Sequence, residues 1–201
     1  MLTYYFQRGE AQQPKFILLH GTGGDEHSLD ELAEYLAPKA TILSFRGAVE
    51  EQGHLRFFKR DGLNQFDYVS LEQETDHLFD SIRMVSEEER IPLTEWILVG
   101  YSNGANIAAH LLLQREVSLQ RAILFHPMSL GLHTEHFSLT DKTIWLSYGI
   151  NDPIVSEASM LTLATAFKER GATVGVHPTE SGHQVTLEEV ESASSWLKQK
   201  D

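Results

Sequence analysis

Ser102, Asp152 and His183 are the residues of this 201-residue chain whose types and order can build a nucleophile. Ser102 stands at the apex of Gly100-Tyr101-Ser102-Asn103-Gly104, with Trp96-Ile97-Leu98-Val99 before it and the helix-forming run from Ala105 to Ala109 after it. That pattern predicts a strand, a sharp turn and a helix. Such a turn holds its serine in a strained backbone position, which only small neighbours tolerate, hence a glycine two residues to either side. The helix that follows aims free N–H groups and its positive dipole end at the hydroxyl. A bare G-x-S-x-G is a weak signal, and the competing reading is a glycine-rich strand–helix turn with a capping serine. What separates the two is whether an acid and a histidine follow. Asp152 lies 50 residues further on, in Asn151-Asp152-Pro153, and His183 another 31 residues on, after Gly182. Taken singly, Asp152 reads as a turn former and His183 as a loop histidine. Together, each follows an apolar run with strand character. A serine hydroxyl needs a base within hydrogen-bond reach, and the base needs an acid to orient it. The chemistry expected is acyl transfer, with the backbone N–H groups of Thr22 and Asn103 as donors to an oxyanion.

The elements that position these residues alternate along the chain. Thr3 to Gln7 reads as a short edge strand, and Phe16 to Leu19 as a strand buried on both faces. It runs into His20-Gly21-Thr22-Gly23-Gly24, which fits neither phosphate-binding glycine pattern, since Glu26 stands where a third glycine is needed. Ser28 with Glu31 reads as a capping box for the next helix, Thr41 to Ser44 as a strand, and Ser70 with Gln73 as the cap of a long helix over 70–90. Between them, Phe45 to Asp67 shows no period, and its Arg56-Phe57-Phe58-Lys59-Arg60 is expected to wall a substrate pocket. Further strands are expected at Arg121 to Phe125, Thr143 to Tyr148 and Thr173 to His177. Helices are expected over 157–170, closed by Gly171, and over 186–199, capped by Thr186 with Glu189. This alternation predicts an α/β fold with a mostly parallel central sheet flanked by helices, in one domain over 1–201. His20, Ser102, His126, Asp152 and His183 all fall at the carboxyl ends of strands, where such sheets bind ligands. His20 reads as a loop-shaping residue, and His126 equally as a pocket wall or a structural hydrogen-bonding group. His133 and His136 lack the H-E-x-x-H pattern and a third ligand, so a polar loop is the better reading and no metal site is expected.

Composition narrows the function classes. Sixteen basic against 29 acidic residues give a net charge of −13, which argues against nucleic-acid or anionic-membrane partners. Cysteine is absent, which excludes disulfides, thiolate metal sites and a cysteine nucleophile. The N-terminus lacks the basic start and long apolar run of a signal peptide, and no apolar stretch is long enough to span a bilayer, so a cytoplasmic location without membrane insertion is expected.

The order Ser, Asp, His is that of α/β-hydrolases. The chain resembles the phospholipase/carboxylesterase group of that fold, related to dienelactone hydrolases. In particular it is similar to bacterial carboxylesterases of the hydroquinone-resistance type. The motifs that carry the resemblance are Leu-His-Gly-Thr-Gly-Gly at 19–24, Arg-Phe-Phe at 56–58, Gly-Tyr-Ser-Asn-Gly-Ala-Asn at 100–106, His-Pro-Met at 126–128, Asn-Asp-Pro at 151–153 and Gly-His-Gln at 182–184. The resemblance implies an eight-stranded core trimmed at the N-terminus, no large cap domain, no cofactor, and Ser102, Asp152 and His183 as the triad. Typical dienelactone hydrolases commonly use cysteine where this chain has Ser102. The function implied is hydrolysis of small to medium carboxylic esters, with the substrate against Gly23, Phe57, Phe58, Met128 and Ile154. The same triad would serve a thioesterase or another acyl transfer, and a binding protein on the same scaffold is the non-enzymatic alternative. A homodimer is left open.

Overall fold

An apolar run such as Phe16-Ile17-Leu18-Leu19 leaves neither of its faces fit for water, so it folds where both are covered. In the computed structural model, which describes residues 1–62 and 65–199, this run is the inner strand β2 (Lys15–Leu19). It pairs in parallel with β3 (Thr41–Phe45) on one side and on the other with β8 (Trp96–Tyr101). The sheet continues in parallel through β9 (Arg121–Phe125), β10 (Thr143–Gly149) and β11 (Thr173–Thr179). At the opposite edge β1 (Tyr4–Gln7) runs antiparallel to β3, which gives the order β1-β3-β2-β8-β9-β10-β11. The resemblance implied eight strands with some trimming. Among the described residues the main sheet has seven, with β1 the one strand ahead of Lys15.

The period of two in each strand divides its side chains between two cores. Ile17, Leu19 and Leu98 pack with Leu78 and Ile82 of α2 (Tyr68–Glu89), Ile107 and Leu111 of α3 (Asn103–Gln114), and Leu163 of α4 (Glu157–Glu169). Phe16, Leu18, Ile97 and Val99 pack with Leu36 of α1 (Asp30–Leu36), and with Ala193 and Leu197 of α5 (Leu187–Lys198). Helix α3 is buried along its whole length, as its nearly all-round apolar composition requires. No helix among the described residues is long and apolar enough to cross a membrane.

Two expected caps are not formed, one lost to a local turn and one taken over by a neighbouring acceptor. Ser28 is drawn into a turn with Asp25, its hydroxyl accepting from Asp25 N–H at 2.9 Å and donating to Asp25 Oδ1, so α1 begins at Asp30 without a side-chain cap. The long helix starts two residues earlier than expected. Asp67 caps it by accepting from Ser70 N–H at 2.9 Å, and the Ser70 hydroxyl instead accepts from Lys59 N–H. The capping box of Thr186 and Glu189 is present, and Gly171 follows α4 with φ 93°. The segment without a period folds into two short hairpins, β4 (Val49–Glu51) with β5 (His54–Arg56) and β6 (Arg60–Gly62) with β7 (Gln65–Phe66). Leu63 and Asn64 of this segment lie outside the described residues.

From β2 the chain moves outward to β3 and then crosses back to β8 on the other side. The crevice between the carboxyl ends of β2 and β8 is therefore the switch point of the sheet, where ligands of open α/β sheets bind.

Candidate active site

Both loops at this switch point are shaped by close approach. A Cβ on Gly104 would collide with the carbonyl oxygen of Leu19, and one on Gly100 would lie 2.7 Å from Ala105 Cα. Without side chains there, the start of α3 presses against the end of β2. Ser102 takes φ 51° and ψ −114°, a conformation that L-residues rarely adopt and that persists only where the surroundings over-determine it. Here they do. The Ser102 N–H donates to Phe125 O at 2.9 Å, and its carbonyl accepts from Asn106 N–H at 2.9 Å.

The two other residues singled out with Ser102 arrive from the ends of β10 and β11. Ser102 Oγ lies 2.8 Å from His183 Nε2, and His183 Nδ1 lies 2.7 Å from Asp152 Oδ2. An ionised carboxylate only accepts, so Nδ1 carries the proton and Nε2 is left to accept from the Ser102 hydroxyl. Asp152 Oδ1 takes the N–H groups of Ile154 and Val155 at 2.8 and 3.0 Å. Burial pushes the Asp152 carboxyl towards its neutral form, but the bonds from Val155, His183 and Ile154 outweigh it and hold the pKa below the usual carboxylate range. Tyr101 steadies the histidine twice: its hydroxyl donates to His183 O at 3.0 Å, and its ring lies 5.6 Å from the imidazole.

Thr22 and Asn103 flank Ser102 in a cavity of about 280 Å³, and no described residue accepts a hydrogen bond from either main-chain N–H. His20 braces the Thr22 loop. Burial lowers its pKa, and the neutral ring donates through Nδ1 to Gly21 O at 2.7 Å and accepts at Nε2 from Gly47 N–H at 2.9 Å. Gly23 is not on the cavity wall; its N–H is spent on Leu55 O at 2.7 Å, which ties the loop to β5.

Met128 and Ile154 line the cavity, but Phe57 and Phe58 do not. They are 1% and 0% exposed, because the hairpins turn them into the core. Phe57 packs 4.8 Å from the His20 ring while its N–H donates to Asn103 Oδ1 at 2.7 Å, and Phe58 packs 5.8 Å from Phe66. The expected aromatic wall is instead Phe66, joined by Arg56 and Arg60. Of the Arg-Phe-Phe-Lys-Arg segment, Arg56 and Arg60 face the cavity, and which of its residues do so depends on a hairpin register that the sequence leaves unmarked.

Sequence reasoning left His126 undecided and missed its partners. It is fully buried and absent from the cavity wall, with the left-handed φ of 51° and its N–H donating to Ser147 O at 3.1 Å. Its Nδ1 lies 3.2 Å from the same Asp152 Oδ2 that His183 uses, and its Nε2 lies 2.9 Å from Glu189 Oε1. The two atoms are close but not aligned for a directed hydrogen bond. Burial opposes charge on both partners and is outweighed on both: the pKa of His126 is raised by Glu189 and Asp152, and that of Glu189 is lowered by His126, Ser147 and the Thr186 N–H. His126, Asp152 and His183 bring donor atoms within 4.8 Å of one another, but those atoms are engaged in the bonds just described and two of the side chains are sealed from solvent. Of His133 and His136, His133 bonds the Ser129 hydroxyl at 2.8 Å through Nε2.

With this geometry in place, comparison with known proteins is decisive. Residues 62–193 match the model of the dienelactone hydrolase family. A Bacillus subtilis (strain 168) protein described as a hydrolase, MhqD, is 36% identical over 198 residues, covering 98% of each chain. The chain belongs to the dienelactone hydrolase family. Among solved structures it is similar to YahD, determined with malic acid, with a TM-score of 0.95 and 38% identity over the whole of both chains. It is similar also to a Bacillus cereus carboxylesterase, with a TM-score of 0.95 and 38% identity over 99% of this chain and 94% of that one. The fold is thus that of the α/β-hydrolases, and the protein is a hydrolase.

Proposed function

We propose that this hydrolase is a serine carboxylesterase in which Ser102 attacks the ester carbonyl and carries the acyl group. The observation that carries the reading is the continuous relay Ser102–His183–Asp152, with links of 2.8 and 2.7 Å, whose Ser102 and His183 stand on the wall of a cavity. His183 Nε2 takes the proton as Ser102 Oγ bonds to the carbonyl carbon, and the Asp152 carboxylate stabilises the imidazolium that results. The oxyanion formed meets the N–H groups of Asn103 and Thr22, and preorganised donors of this kind are each worth about 3–4 kcal/mol in the transition state. His183 then returns its proton to the leaving alkoxide. A water, deprotonated by the same imidazole, hydrolyses the acyl-enzyme and restores Ser102.

A cavity of about 280 Å³ suits a small to medium ester. The malic acid bound to the similar YahD is also a small molecule, and the similar Bacillus cereus protein is a carboxylesterase. The partner this reading assigns is a small-molecule ester in the cytoplasm, with no cofactor in the chemistry.

The test is hydrolysis of p-nitrophenyl esters from acetate to palmitate, beside a panel of acyl-CoA thioesters, with Ser102→Ala as control. Expected is turnover of short and medium esters that vanishes in the variant. Faster turnover of thioesters would move the assignment to thioesterase, and activity that survives in Ser102→Ala would overturn the mechanism.

A further inference from the structure

We propose that His126 and Glu189 are positioning residues of this site: a buried imidazolium and its counter-carboxylate that hold Asp152 from the core side and set the pH range in which His183 acts as a base. The inference rests on the Ser102–His183–Asp152 reading and extends it to two residues that touch neither the cavity nor Ser102. His126, Asp152 and Glu189 have side chains with no solvent exposure, and the two contacts of His126 are 3.2 Å to Asp152 Oδ2 and 2.9 Å to Glu189 Oε1.

Among the described residues, groups from four surrounding segments and one helix face the His126 ring. From β8 the Tyr101 ring meets it edge-on at 6.1 Å, and from β10 comes the hydroxyl-bearing Ser147, whose carbonyl takes the His126 N–H. The loop after β10 brings Asp152, the loop after β11 brings the His183 ring at 5.3 Å, and α5 brings Glu189. Two carboxylates thus face one imidazole with no water able to reach it. A neutral ring would leave one of the two without a proton to meet it, which is costly for a buried carboxylate. A charged ring satisfies both. The link to His183 is electrostatic: a cation drawing on the same Asp152 oxygen opposes a second positive charge on the imidazole 5.3 Å away. Glu189 keeps that cation in place, and its other oxygen is anchored by the Thr186 N–H at 2.7 Å and hydroxyl at 2.8 Å.

The test reads the histidines of the whole protein by ¹⁵N NMR across pH, in wild type, His126→Asn and Glu189→Gln. Asparagine tolerates the left-handed backbone, and glutamine keeps the capping bond to Thr186 while losing the charge. In wild type at about pH 8, well above the ordinary histidine range, His126 is expected to carry protons on both ring nitrogens. In His126→Asn, His183 is expected to take up its proton about one pH unit higher, the lower end of what a charge ~4–6 Å away does, and the acid limb of kcat/KM should follow. In Glu189→Gln, His126 should lose its imidazolium signature at that pH, with a smaller shift of His183 in the same sense. A neutral His126 in the wild type overturns the proposal, and so does a folded His126→Asn with an unmoved His183 titration. If that variant does not fold, the wild-type spectrum alone decides. The titration is read without turnover, so it stands apart from the Ser102→Ala control, whose failure would instead remove the esterase reading.

Discussion

His183 and His126 approach the same oxygen of Asp152, at 2.7 and 3.2 Å, yet their surroundings make them opposites. The His183 side chain is 16% exposed and reaches the cavity, with its second nitrogen on the Ser102 hydroxyl. That of His126 is sealed in the core, with its second nitrogen on a carboxylate. An imidazole whose second partner is a hydroxyl can accept a proton, whereas one held between two carboxylates keeps the proton it has. The difference teaches that the second partner and its exposure, rather than the shared aspartate, decide what a histidine does here.

The largest expected effect separates the two roles. On the proposed mechanism, in which Ser102, His183 and Asp152 act as a unit, His183→Ala should lower kcat by about a thousandfold or more while leaving the unfolding free energy close to that of wild type. His126→Ala should do the reverse. It strands Glu189 as a buried charge, a change that typically costs about 3–5 kcal/mol, and at pH above the acid limb should reduce kcat far less than His183→Ala does. Urea unfolding and steady-state kinetics on both variants measure this. Equal losses of kcat would break the contrast.

Phe58 and Phe66 repeat the contrast of core and cavity, and they show how far the sequence could be read. The strand, turn and helix around Ser102, the strand-end positions of Asp152 and His183, and the apolar strands were legible, because each is encoded within a few neighbouring residues. The direction of Phe57 and Phe58 was not, since it depends on how two short hairpins fold back on α3. Nor was the role of Glu189, legible only as the capping partner of Thr186. One of its oxygens fills that role, and the other meets a histidine from the end of β9 that tertiary structure alone brings near. The cap expected at Ser70 was lost to Asp67, three residues earlier and equally able to accept. Phe58→Ala is therefore expected to cost about 3–5 kcal/mol of stability, as core phenylalanines do, without changing the preference among ester chain lengths. Phe66→Ala should change that preference. A Phe58→Ala protein that is as stable as wild type but altered in chain-length preference would return Phe58 to the pocket wall.

Acidity sharpens the comparison on the buried side. Asp152 and Glu189 have folded pKa values below their ordinary ones, so their stabilisation is present above the ordinary carboxylate range, about pH 4, and is lost as pH falls through the lowered values. His126 is raised, so its contribution is complete below the ordinary histidine value near ~6.5 and fades as pH rises through the raised one. Wild-type stability should therefore be greatest between these limits and decline towards both. Glu189→Gln removes one carboxylate and the main partner of His126. It is expected to be less stable at the maximum by about 1–3 kcal/mol and to decline less steeply on each side. Urea unfolding from about pH 2 to about pH 9 checks it, and a Glu189→Gln curve parallel to wild type would show that Glu189 and His126 are not linked.

The smallest effect lies on the exposed side, where His183 depends on Tyr101. Tyr101→Phe removes the hydroxyl that donates to His183 O at 3.0 Å but keeps the ring that lies against the imidazole. The loss should be about 0.5–1.5 kcal/mol, the net worth of one ordinary hydrogen bond, with a fall of a few-fold in kcat/KM as the histidine loop loosens. Burial and the negative charges of Asp152 and Glu189 raise the Tyr101 pKa, so the hydroxyl remains a donor through the neutral range. The fall should accordingly be the same at each pH on the plateau, unlike that of His126→Asn, which appears on the acid limb. Were Tyr101→Phe to move the acid limb instead, the two sides of Asp152 would be coupled through the tyrosine, and the division of labour between the histidines would have to be redrawn.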